Sequence, residues 1–295
     1  MGYLYRAISE DGSAFAAVLD AKDIVSEIEK IHGTSAVVTA ALGRLSIAAS
    51  LMGYMLKGDE DSITLRIDAD GPTGQLVAVA DSRGNVKSCV NNPVVEIPLN
   101  SKGKLDVAGA VGRDGTLSVV KDMGLREPYV GVIPLVSGEI AEDIASYYAT
   151  SEQIPTVCAL GVLVDTDLSV KSAGGFLVQL LPFADEKCID QIEQNVQNMR
   201  PVSALLDEGV TPEEIADMLL KGLSPNELDT ARPAYKCDCS RSRTEKVLIS
   251  IGKTELNSIA DENKDTTVSC HFCGKDYVFT PDEIRRLAEG AASEE

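Results

Sequence analysis

Four cysteines near the C-terminal end are the residues best suited to chemistry. They read Cys237-Asp-Cys239 and, after a 30-residue gap, Cys270-His-Phe-Cys273. Two close thiol pairs joined by a short folded segment are what a tetrahedral Zn²⁺ requires, since each pair supplies two sulfurs from one tight turn. Gly274 follows the second pair and suits a turn that needs positive φ. The first pair is less ordinary, because structural zinc sites mostly place two or more residues between paired cysteines. Thiolates that hold a metal are also reductants. Without the metal, the spacing leaves two local disulfides open, Cys237–Cys239 and Cys270–Cys273. The small ring across Cys-x-Cys would be strained and easily reduced, which suits a switch better than a staple. A permanent zinc ribbon that only stabilises a fold is the plainer alternative, and spacing alone leaves both open. His271 lies between ligands, and the preference for closed four-thiolate sites sends it to packing or solvent.

Other chemistries fit less well. A formal net charge of −19 opposes nucleic-acid binding, which demands a basic face. Lys236, Arg241, Arg243 and Lys246 form a local basic group, read as electrostatic support for thiolates and a solvated face. No Gly-x-x-x-x-Gly-Lys-Ser/Thr or Gly-x-Gly-x-x-Gly occurs, so the many glycines are assigned to turns and no ATP site is expected. A catalytic zinc keeps an open position and a nearby base; four cysteines close the shell, and no His-Glu-x-x-His is present. A disulfide oxidoreductase would need a βαβ setting around its Cys-x-x-Cys. The chain is therefore not expected to be an enzyme. Cys89, Cys158 and Cys188 are isolated and read as small buried hydrophobes.

The elements that must position the cysteines follow from patterning. The chain has 295 residues, 44% hydrophobic, with 4% aromatics and no tryptophan, so an aliphatic core is expected. Residues 3–8 and 14–19 flank Asp11-Gly12 as a hairpin. A short helix carries Ile24, Val25, Ile28 and Ile31 and stops at Gly33. The apolar stretch 35–56 is long enough to span a bilayer, but Arg44 near its middle would cost about 3 kcal/mol there, so it reads as a buried helix. Strands are expected over 63–67, 75–80, 86–90, 116–120, 134–136, 160–164 and 175–181, with a helical patch over 139–148. The fold class is α+β: a mixed sheet and helix domain over 1–184, a helical linker over 185–232, and a small zinc-binding module over 233–295. In the linker, 185–199 is amphipathic, Thr211-Pro-Glu-Glu214 is a capping box, and 223–233 reads as a connector. In the module, helices over 244–251 and 255–260 precede a hairpin of 266–269 and 277–279. A second capping box at Thr280 follows, and a tail over 291–295 is expected to fray. No signal peptide is read at the N-terminus, and seven cysteines point to a reducing, cytoplasmic compartment.

A module of this size supplies only about 3–5 kcal/mol from its core, whereas structural zinc contributes an apparent ~10–16 kcal/mol. Metal loss should therefore unfold it, and a linker that lets go would uncover apolar surface.

The whole chain resembles the 33-kDa chaperonins, a family of redox-regulated bacterial heat-shock holdases. The resemblance rests on Cys237, Cys239, Cys270 and Cys273, on His32-Gly-Thr34 leading into 40–44, and on 103–106, 115–122 and Ala173-Gly-Gly-Phe176. It implies an ATP-independent chaperone, zinc-bound and idle when reduced. On oxidation, disulfides Cys237–Cys239 and Cys270–Cys273 form, zinc leaves and the linker unfolds. Its implied partners are unfolded or oxidatively damaged clients and a second copy of the chain, with no nucleic acid and no membrane. A zinc-ribbon module for constitutive partner binding is the alternative.

Overall fold

Asp11 and Gly12 close the first hairpin, with Gly12 at φ +70°, and β1 (Tyr3–Ser9) pairs antiparallel with β2 (Ala14–Asp20). The computed structural model describes residues 1–182 and 184–290. The tail 291–295 lies outside them. The chain divides into two compact units, Met1–Lys236 and Cys237–Glu295.

In the first unit, α1 (Lys22–His32) ends at Gly33, whose left-handed φ of 59° returns its N–H to Glu29 O. Next comes α2 (Ala36–Gly53), the one helix among the described residues long and apolar enough to cross a membrane; 89% of it is buried. It is apolar all round because it lies between two sheets. One is β3 (Ser62–Ala69), β4 (Leu76–Asp81), β5 (Val86–Val90), β6 (Gly115–Asp122) and β7 (Tyr129–Pro134), in the order β5-β4-β3-β6-β7. The other adds β8 (Thr156–Val164), β9 (Val170–Leu180) and β10 (Pro225–Ala231), in the order β10-β1-β2-β9-β8. A short α3 (Val107–Val111) and α4 (Ala141–Tyr147) complete this layer, and one π turn, Tyr148–Glu152, extends α4.

The second sheet is buried on both faces, and alternation along β2 shows it. Phe15, Ala17 and Leu19 enter the core shared with α2, while Ala14, Ala16 and Val18 face the opposite way. That opposite face is covered by α5 (Glu186–Gln197), α6 (Val202–Asp207) and α7 (Pro212–Leu219), through Cys188, Ile192, Val202, Leu205, Ile215 and Leu219. The amphipathic helices thus rest their apolar faces on the sheet, and Thr211 and Glu214 form the expected capping box at the start of α7. Gly174 and Gly175 of β9 explain the paired glycines. A Cβ on Gly174 would meet Leu206 of α6 at 2.3 Å, and one on Gly175 would meet Ile47 of α2 at 2.9 Å.

Three expectations are corrected. The segment 223–233 is not a bare connector: it contains β10, an edge strand held by Arg6, which bonds Asp229 with Nε at 2.8 Å and with Nη2. The strand expected at 134–136 lies earlier, at β7, whose Gly131 and Ile133 turn inward. Helix α3 breaks the region expected to be strands and turns, capped by the Asp106 carboxylate, which accepts from Gly109 N–H.

The second unit contains α8 (Arg241–Ser250), α9 (Lys253–Asp261), the hairpin β11 (Thr266–Ser269) and β12 (Asp276–Phe279), and α10 (Pro281–Gly290). Its core is small: Leu248, Leu256, Ala260, Tyr277, Phe279, Ile284 and Ala288.

Candidate metal centre

Two turns of the second unit present the thiols. Cys237 and Cys239 sit just ahead of α8, where Ser240 Oγ caps the helix by accepting from Arg243 N–H. Arg243 folds back on the intervening residue, donating to Asp238 O at 3.3 Å and to its carboxylate. The second turn joins β11 to β12. Cys270 N–H donates to Lys275 O at 2.9 Å and Gly274 N–H to Cys270 O at 2.8 Å, with Gly274 at φ +68°. A side chain there would strain the turn.

All four sequence-predicted cysteines converge. Their sulfurs lie within 4.8 Å of one another and are half-buried. Cys237 Sγ is 3.7 Å from Cys270 Sγ, and Cys239 Sγ is 3.4 Å from Cys273 Sγ. A tetrahedral zinc with Zn–S near 2.3 Å places its sulfurs about 3.8 Å apart, so an all-sulfur donor set of these spacings fits that ion. His271 is exposed and stands outside the group. Cys89 and Cys158, both half-buried, and the buried Cys188 belong to the first unit.

Lys236, Arg241, Arg243 and Lys246 are all exposed, as the solvated-face expectation has it, but support for the thiolates does not come from the two arginines. Arg241 and Arg243 are committed to carboxylates: Arg241 Nη2 reaches Glu283 Oε1 at 2.7 Å, and Arg243 pairs with Asp238. Arg241 also donates to Val278 O at 2.8 Å and stacks over Phe279, so it fastens the turn to the core. The group that acts on a thiol is Tyr277, whose hydroxyl donates to Cys239 Sγ at 3.1 Å. That bond draws the Cys239 thiol down to about 7, and the same contact pushes the Tyr277 hydroxyl up to about 12. Burial pushes Cys237 and Cys273 up. Alternation on β12 places Tyr277 and Phe279 on one inward face. It gives no hint that the hydroxyl reaches a cysteine 38 positions away.

A two-unit α+β chain with a four-thiol centre in its smaller unit is the class defined by fold and site. The family model described as Hsp33 protein matches residues 2–280. The 33 kDa chaperonin of Clostridium beijerinckii is 46% identical over 284 residues, covering 96% of this chain and 97% of that protein. That of Acetivibrio thermocellus is 47% identical over 287 residues, covering 97% of each. The crystal structure of the Thermotoga maritima 33 kDa chaperonin superposes with a TM-score of 0.91 at 38% identity, covering 99% of both chains. The chain belongs to the Hsp33 family.

Proposed function

We propose that this chain is an oxidation-activated, ATP-independent holdase. The observation that carries the reading is the convergence of four thiols in a unit whose core, among the described residues, is seven buried side chains. Cys237, Cys239, Cys270 and Cys273 hold Zn²⁺ in the reduced state. When bound, zinc supplies a crosslink between the two turns and keeps the sulfurs as thiolates.

The residues then act as follows. Cys237 with Cys239, and Cys270 with Cys273, each give two electrons to a peroxide. Each pair forms one S–S bond, and the peroxide, with two protons from solvent, leaves as two waters. Four sulfurs tied up in two disulfides no longer form a ligand set. A core this small cannot hold the unit alone, at about 3–5 kcal/mol against an apparent ~10–16 kcal/mol from the metal. Unfolding then passes along the chain into β10 and the α5–α7 linker over 185–232. Edge strand β10 is the weak link, since three of its seven positions in a row, Asn226, Glu227 and Leu228, are exposed. Release of the linker uncovers apolar surface on both partners of its interface: Tyr5, Val18, Phe176 and Val178 on the sheet, and Ile192, Leu205, Ile215 and Leu219 on the helices. Contiguous patches of this kind bind unfolded chains.

Unfolded or oxidatively damaged proteins are the proposed clients. Family membership supports a homodimer. The net charge of −19 supports a role without nucleic acid, and the burial of α2 one without a membrane. Seven free cysteines fit a cytoplasmic setting. The test follows zinc release, free thiols and light scattering of a heat-denaturing client in one series. Protection only after mild oxidation, reversed by reductant, is the expected result. Equal protection in both states would make the chain a constitutive partner-binding module, and none in either would leave a structural ribbon.

A further inference from the structure

Tyr277 lies outside the ligand set yet touches it. Its ring is 7% exposed, packed beside Phe279 in the core of the smaller unit, and its hydroxyl donates to Cys239 Sγ at 3.1 Å. Contacts among the cysteines themselves join Cys237 with Cys270 at 3.7 Å and Cys239 with Cys273 at 3.4 Å, whereas the Tyr277 hydroxyl reaches Cys239 from outside the four. Lys275 Nζ covers the ring at 5.3 Å from its centroid. The phenol is therefore held by packing on β12, and its O–H draws electron density from the Cys239 sulfur.

We infer that Tyr277 is a positioning residue that shields Cys239 from oxidant, setting how much peroxide the centre withstands before it opens. The inference rests on the reading of the four thiols as a zinc-holding redox centre. In the step concerned, Cys239 Sγ attacks one peroxide oxygen and the O–O bond breaks. Sγ becomes a sulfenic acid, and the departing hydroxide takes a proton from solvent to leave as water. Cys237 Sγ then attacks the sulfenic sulfur, the S–S bond forms, the S–O bond breaks, and that hydroxide takes a second solvent proton and departs as water. Both electrons lost by the pair reduce the peroxide. A thiolate that donates density to an O–H is a weaker nucleophile, because the bond stabilises it more than the transition state of the attack. Loss of the bond should speed the first attack about tenfold, equivalent to ~1.4 kcal/mol.

The experiment compares full-length wild type with Tyr277→Phe, which keeps the ring and removes only the hydroxyl. Zinc-loaded protein is exposed to hydrogen peroxide, quenched with an alkylating agent, and initial oxidation rates are read at each cysteine by mass spectrometry. The same proteins loaded with Co²⁺ report the sulfur-to-metal charge-transfer band. Faster initial oxidation at Cys239, by about tenfold, and a shift of the band to longer wavelength are expected. Phe279→Leu loosens the same core with Tyr277 intact, and should lower the melting temperature without favouring Cys239. Unchanged rates and an unmoved band would overturn the inference. So would equal acceleration at all four cysteines, which is the mark of a packing role. A wild type without any charge-transfer band would fail the metal reading itself, and this inference with it.

Discussion

At the scale of single residues, the convergence of the four cysteines was legible because the constraint is local twice over. Each pair is set by one turn, and spacing reports turns. Their neighbours were not legible. Arg241 and Arg243 stand close to the thiols in sequence, yet each finds a carboxylate instead, Glu283 and Asp238. Tyr277 and Tyr235 act through hydroxyls placed by tertiary packing. Tyr235 OH donates to Ser88 O at 2.9 Å, and His32 Nε2 lies 2.9 Å from the same oxygen. His32 carries a pH prediction. Burial holds its imidazole below the ordinary value of 6.5. As pH falls through 6.5 the unfolded chain takes up a proton that the folded chain refuses, so stability declines on acidification until the folded group itself protonates. Denaturant unfolding of the first unit in reduced protein should therefore show stability falling from about pH 7.5 to about pH 5.5, with the slope reduced in His32→Gln. An identical slope in the variant would assign the effect elsewhere; the chain has only two histidines, and the other, His271, is exposed.

At the scale of elements, periodicity located the helices well. Helix α2 was legible as an apolar run broken by Arg44, which reaches Glu139 Oε2 at 2.6 Å, and 89% of the run is buried. The amphipathic stripes of α5 and α7 were legible for the same reason. Strand β10 was not. Its sequence, Pro-Asn-Glu-Leu-Asp-Thr-Ala, has no alternating apolar face, because an edge strand is held by its backbone ladder to β1 and by Asp229 on Arg6. The paired glycines of β9 were visible but unexplained until helices on both faces were placed. Gly174 tests the linker's seat specifically. Gly174→Ala sets a methyl against Leu206 and should cost about 1–3 kcal/mol. The expected outcome is faster amide exchange across α6 in reduced protein, with α2 unchanged. Unaltered exchange in α6 would mean that the close approach there is not a determinant of docking.

At the scale of the whole molecule, the chain carries two unequal stores of stability. The first unit buries a core spread over two sheets and α2. Its second core, between the sheet and α5–α7, is built half from residues of those helices and the turn after α7, and under the proposed function it is lost when they depart. The smaller unit, Cys237–Glu295, has few buried side chains and four convergent thiols. Composition foretold this asymmetry only in outline, since an aliphatic-rich chain does not reveal which residues share a layer. Under the account given, oxidation should be felt first in the smaller unit, then in the linker, and last in the two sheets.

Amide hydrogen exchange of one full-length sample, reduced with zinc and then after peroxide, tests that order most directly. Loss of protection across 237–290 and across α5–α7, with β2, β9 and α2 still protected, is the predicted result. Protection of 237–290 that survives complete oxidation of Cys237, Cys239, Cys270 and Cys273 would contradict the claim that the four-thiol centre holds the unit together.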